Sequence, residues 1–215
     1  YASSGNAADF GDDQGTQQWK GNGGSSTTRS VWGGGNPATN VINYITPQTL
    51  GNSVDFGNLS VSRYGSAAGN SGSNTRGIFM GGDGGDDDVI DYITIASTGN
   101  ATDFGNLSLA RWYAGAVNSS TRNAAGGGFS PAIRNTIDYV TTATTGNATD
   151  FGDLSLAGLA PTGLSNSRIG LFLGRGTPTL SDTVDKITIN TTGDAADFGD
   201  LSRATNFAAS ASAGH

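Results

Sequence analysis

The stretch Thr98-Gly99-Asn100-Ala101-Thr102-Asp103-Phe104-Gly105-Asn106-Leu107-Ser108 returns as Thr145-Gly146-Asn147-Ala148-Thr149-Asp150-Phe151-Gly152-Asp153-Leu154-Ser155. Its Asp-Phe-Gly centre also stands at Asp9, Asp55 and Asp197, at intervals of 46, 48, 47 and 47 residues. A period held over the whole chain marks an array of one supersecondary unit. It also disposes of a kinase reading: Asp-Phe-Gly needs a Gly-rich loop, a strand lysine and a catalytic loop around it, and none is present.

Further phrases share the period. Ile90-Asp91-Tyr92-Ile93-Thr94 is echoed by Ile137-Asp138-Tyr139-Val140-Thr141 and more weakly by Ile42-Asn43-Tyr44-Ile45-Thr46 and Val184-Asp185-Lys186-Ile187-Thr188. Ahead of each lies an arginine (Arg29, Arg76, Arg122, Arg168), a small-apolar run and glycines. Four strand-like runs fit in each period. In the second complete unit they are A (62–69), B (76–82), C (89–95) and D (101–108). The spacings leave no room for a crossover helix, so successive strands pair antiparallel. Glycines after B allow positive φ and close backbone approach. Phe56, Phe104, Phe151 and Phe198 are expected as equivalent core anchors. The units run about 14–60, 61–108, 109–155 and 156–202, with 1–13 and 203–215 forming a partial fifth.

Composition agrees. The 215 residues include 35 glycines, no glutamate, and only Lys20 and Lys186 as lysines. Turn-forming Asn, Asp, Gly, Ser and Thr abound and strong helix formers are scarce, which points to an all-β chain. The net charge of −7 and the lack of any basic tract argue against nucleic acid. No apolar run reaches membrane-spanning length, so no membrane insertion is expected. With no cysteine and His215 as the single histidine, His-based triads and most transition-metal sites are excluded. The aspartates are spread over the repeats and offer no unique catalytic pair, so no enzyme is expected.

The unit resembles a kelch repeat. Arg63, Gly81-Gly82, Asp91-Tyr92 and Phe104 follow the order of that family's strand A arginine, double glycine, strand C pair and strand D aromatic. Arg111, Gly126-Gly127-Gly128, Asp138-Tyr139 and Phe151 do so in the next unit. The departures are Phe for the usual Trp, a reversed Asp-Tyr order, Lys186 for Tyr, and Gly158 where strand A would carry its Arg. The resemblance implies a β-propeller with four complete four-stranded blades and terminal strands of a partial fifth. Residues 7–13 would be a lone strand D and 204–213 a lone strand A. These could share an incomplete blade, belong to a longer propeller, or pair with a neighbouring copy.

A narrower resemblance is one of wording: Asn135 to Val140 followed by Gly146 to Gly152 is similar to arrays in virion and tail-fibre proteins of bacteriophages. It implies a virion or extracellular location, with other virion or fibre subunits and host-surface glycan or protein as partners. The runner-up is an extracellular structural fibre joined through its terminal strands.

Residues repeated in every unit are expected to serve the unit. The arginines before strand B should make ion pairs or bond loop carbonyls between blades. Asp103, Asp150 and their equivalents should close Asx turns rather than bind calcium. The asparagines in Asn-x-Ser/Thr are explained by the same turn wording. The B–C connections differ from unit to unit and are the candidate binding surface: Asn36; Asp83, Asp86, Asp87 and Asp88; Phe129 and Arg134; Arg175. Asp83, Asp86 and Asp88 form a candidate calcium site in one unit only, without EF-hand spacing.

Overall fold

A computed structural model describes residues 8–15, 19–20, 23–70, 75–84, 88–177 and 179–207. Among them there are no helices. The chain forms four four-stranded antiparallel sheets, each a meander in chain order. The first holds β2 (Gly23–Ser25), β3 (Ser30–Gly33), β5 (Thr39–Ile45) and β6 (Val54–Arg63). The second holds β7 (Ala67–Asn70), β8 (Arg76–Met80), β9 (Val89–Thr94) and β10 (Thr102–Asn106). The third holds β11 (Gly115–Asn118), β12 (Arg122–Gly126), β13 (Thr136–Thr141) and β14 (Thr149–Asp153). The fourth holds β15 (Thr162–Ser165), β16 (Ile169–Thr177), β17 (Thr179–Thr188) and β18 (Ala196–Asp200). A two-stranded ribbon pairs β1 (Trp19–Lys20) with β4 (Gly35–Asn36).

The strands expected at 76–82, 89–95 and 101–108 are therefore β8, β9 and β10. Strand A is displaced. Residues 62–63 end β6, where Arg63 pairs with Thr39, and the next sheet begins only at Ala67. Arg63 is thus the last residue of a fourth strand rather than the opening of a first.

The second and third sheets bury both faces against their neighbours, because alternate residues of one strand enter different cores. In β9, Ile90 packs with Phe104 and Leu107 toward the third sheet, while Ile93 packs with Val31, Ile42 and Phe56 of the first. A third cluster joins Phe151 and Ile137 to Phe172 and Ile187 of the fourth sheet. Phe56, Phe104 and Phe151 thus fill the three spaces between sheets, each edge-on to the tyrosine of its own sheet at 5.8–5.9 Å between centroids. Phe198 breaks the expected equivalence. It is 60% exposed, because among the described residues no fifth sheet follows the fourth.

Three of the four arginines before the second strands hold the sheets together, as their repetition suggested. Arg29, Arg76 and Arg122 stack over Tyr44, Tyr92 and Tyr139 at 4.8, 4.5 and 4.3 Å. Each then donates to a carbonyl of the next sheet or the turn leading from it: Ile95 O, Thr142 O and Ile189 O. A guanidinium held over a ring face can still direct its N–H groups to such carbonyls.

The aspartates of Asp-Phe-Gly close the expected turns. Asp103, Asp150 and Asp197 each accept a bond from the N–H two residues on, at 3.0–3.2 Å. The turn bends the strand at a glycine with φ between +138° and +143°.

Candidate binding surface

In an antiparallel meander the first strand starts, and the second ends, at the same edge of the sheet. The crossovers from one sheet to the next therefore lie beside the B–C connections. Backbone pairing fixes this contact in every sheet. Trp19 pairs with Asn36, Tyr64 with Asp83, Trp112 with Phe129, and Leu159 with Gly176. One backbone arrangement thus joins four different pairs of residues. Asn36, Asp83 and Phe129, all singled out by their variable loops, occupy equivalent places in this row.

Glycines make the close approach feasible. A Cβ on Gly34 would lie 2.7 Å from Arg63 O, and one on Gly127 would lie 2.8 Å from Gly158 O; both residues also have positive φ. A second series runs through the crossovers. Tyr113 N–H donates to Gly65 O, Ala160 N–H to Tyr113 O, and Phe207 N–H to Ala160 O. All four residues have φ between +51° and +64°, so three side chains are held in the left-handed region by repeated backbone bonds.

The side chains on this frame form an aromatic and acidic surface. Tyr64 donates its hydroxyl to Asp83 at 2.5 Å. Its ring stands 6.1 Å from that of Tyr113, which lies edge-on to Phe207 at 5.1 Å. Trp112 and Phe129 are tilted against each other at 5.3 Å. Tyr64, Trp112, Tyr113 and Phe129 are half-buried and Phe207 is exposed. Burial and, secondarily, the Asp83 carboxylate raise the Tyr113 phenol above its ordinary pKa.

The remaining candidate residues divide. Arg134 donates to Ser130 O at 3.0 Å and so braces the loop that presents Phe129. Asp88 accepts from the Asn106 amide at 3.2 Å. Asp86 and Asp87 lie outside the described residues. Among the described residues no group of three or more potential metal-ligating side chains is assembled, and Asp83 is committed to Tyr64.

Arg175 is not on the surface at all. Its side chain is fully buried and pairs with Asp185 at 2.9 Å, matching Arg63 with Asp91 at 2.5 Å and Arg111 with Asp138 at 2.7 Å. Its place in a variable connection concealed a structural role. Burial lowers the Arg111 pKa, with Asp138 opposing the shift. Backbone N–H groups of Ser60, Ser108 and Ser155 donate to the same three carboxylates, so each buried anion is doubly held.

Sequence reasoning missed Tyr64, Trp112, Tyr113 and Phe207. The signal was available: the crossovers after each Leu-Ser differ from unit to unit, as the B–C connections do. Neither a protein-family model nor a curated protein sequence matches the chain.

Proposed function

We propose that this chain is a non-enzymatic binding module, a kelch-like β-propeller of a phage virion or tail fibre that engages host-surface glycan or protein. The observation that carries the reading is a division of labour. Repeated polar side chains are committed to turns, ion pairs and contacts between sheets. Non-repeated ones gather at the edge where crossovers and B–C connections meet. Half-buried rings beside a carboxylate suit a sugar, whose apolar face stacks on an aromatic while its hydroxyls find acceptors. Stacking of successive sheets, and the contact between Tyr113 and Phe207 two crossovers apart, support a tightly curved array of the propeller kind.

The test is binding of the full chain to host-cell surface polysaccharide, followed by tryptophan fluorescence. Trp112→Ala and Asp83→Asn should each weaken binding at least ten-fold and leave unfolding largely unchanged. Equal binding by both variants would refute this surface. A second reading, a self-assembling extracellular fibre, draws on the uncovered edge at Phe198.

A further inference from the structure

Rings and a carboxylate meet where the second sheet's crossover and B–C connection pair. Tyr64 gives its hydroxyl to Asp83 at 2.5 Å. The Tyr113 ring stands 6.1 Å from that of Tyr64 and 5.1 Å from that of Phe207. Gly65 permits this arrangement: a Cβ there would lie 2.6 Å from Tyr113 Cε1, so the ring rests directly on the backbone beside Tyr64. The crossover bonds through Gly65, Tyr113 and Ala160 hold the Tyr113 and Phe207 backbones at positive φ. The rings are thus placed before any ligand arrives, which lowers the ordering cost of binding.

The electrostatics of this group have one sign. An aromatic face is negative, and Asp83 adds a formal negative charge. That charge is felt at the neighbouring ring, where it adds to burial in raising the Tyr113 phenol above its ordinary pKa. Asp91, Asp138 and Asp185 each have a buried arginine as counter-ion, whereas among the described residues Asp83 has none. Arg134, the cation of the neighbouring B–C connection, is bonded to Ser130 O. A carboxylate offers about four lone-pair sites, so the Tyr64 hydroxyl leaves Asp83 able to accept further donors. Ring faces beside an uncompensated carboxylate are complementary to a cation.

We infer that the group recognised here is an ammonium, carried by an amino sugar of the bound glycan. The inference rests on the glycan reading above and names the sugar chemistry that reading leaves open. The ammonium lies against the ring faces and directs its N–H groups at Asp83. An N-acetylated sugar of the same shape has a neutral amide there and loses the attraction to both. Trp112 and Phe129 take an adjoining sugar by stacking alone.

The test is calorimetric titration of the full chain with a glucosamine oligomer and with an N-acetylglucosamine oligomer of equal length. Mildly acidic pH keeps the amines charged and the aspartates ionised. The amino form should bind about ten-fold more tightly. Asp83→Asn retains an acceptor for Tyr64 and should abolish that preference. Asp103→Asn removes the same charge from an exposed turn and should preserve it. Trp112→Ala should weaken both oligomers alike. Equal binding of the two oligomers, tighter binding of the acetylated one, or a preference that survives Asp83→Asn would overturn the inference. So would a preference lost equally in Asp103→Asn, which would trace it to the general acidity of a chain with net charge −7. Binding of a lysine peptide with neither oligomer bound would assign the ammonium to a protein and overturn it as well. Host polysaccharide bound without regard to its amines would defeat this inference and leave the glycan reading standing. Failure to bind any polysaccharide or oligomer would defeat both.

Discussion

Arg175 fills the space above Gly158: a Cβ on Gly158 would lie 2.4 Å from Arg175 Cδ. For the aspartate of the second sheet the buried guanidinium comes from the end of β6, as Arg63, and for that of the third from the crossover, as Arg111. In the fourth it comes from β16, a strand of the same sheet as the equivalent aspartate. Asn43 stands at that place in the first sheet, where an uncharged amide needs no cationic partner. Arg175→Met should leave Asp185 buried and unpaired, at a cost of about 3–5 kcal/mol. Adding Asp185→Asn should recover most of the loss. Urea unfolding of the two variants checks this, and equal stability of single and double variants would contradict it.

Phe56, Phe104 and Phe151 should be interchangeable in their energetics. Each fills one space between sheets, so truncation to alanine should cost about 3–5 kcal/mol at every site. Denaturant midpoints of the three variants are the measurement. A near-neutral Phe104→Ala would show that the clusters do not carry the stability assigned to them.

Gly57 and Gly99 share a backbone region, with φ of +144° and +153°, but not surroundings. A Cβ on Gly57 would stand 2.3 Å from Gly99 O, while one on Gly99 would meet open space. Gly99→Ala should lose only the backbone penalty, about 1–3 kcal/mol. Gly57→Ala should lose clearly more, because a neighbouring carbonyl must move as well. Thermal melts of the pair decide the order.

The Tyr113 phenol should ionise at higher pH in the folded chain than in urea, since burial and then Asp83 both disfavour the phenolate. A raised folded pKa means the folded state holds its proton longer. This contribution to stability is complete below the unfolded pKa and fades as pH rises through the folded one. Difference absorbance of the native chain against Tyr113→Phe isolates the group, and Asp83→Asn should lower its midpoint. Coincident folded and unfolded midpoints would contradict the assignment.

Much of the fold was legible because the repeat fixes local chemistry. Glycines after β8 and β12 mark positive φ, Asp103 marks an Asx turn, and a recurring Arg76 marks a contact serving every unit. What was not legible depended on neighbours in space. Arg63 looks like the start of a strand because its phrase follows Leu-Ser, yet pairing with Thr39 makes it the end of one. Phe198 reads as a core residue because its wording matches Phe104, but burial depends on the sheet that follows. Arg175 lies in a connection that varies, so sequence assigned it to the surface, while the loss of an arginine at Gly158 drew it inward. Half of the candidate surface was foreseen through Asn36, Asp83 and Phe129. The crossover half was not, because only pairing reveals that Tyr64 and Trp112 stand opposite them.

The repeated junctions also govern how the molecule would yield to a mechanical load. A sheet here has few neighbours to lean on: its grip comes from an arginine stack, a buried arginine–aspartate pair, a short set of turn bonds and a shared apolar cluster. Tension drawn through the chain would therefore find similar weak planes at similar spacing. Sheets would detach in succession, each releasing roughly 150 Å of slack as about 47 residues straighten. A chain so built would stretch in steps and absorb work instead of snapping at a single threshold.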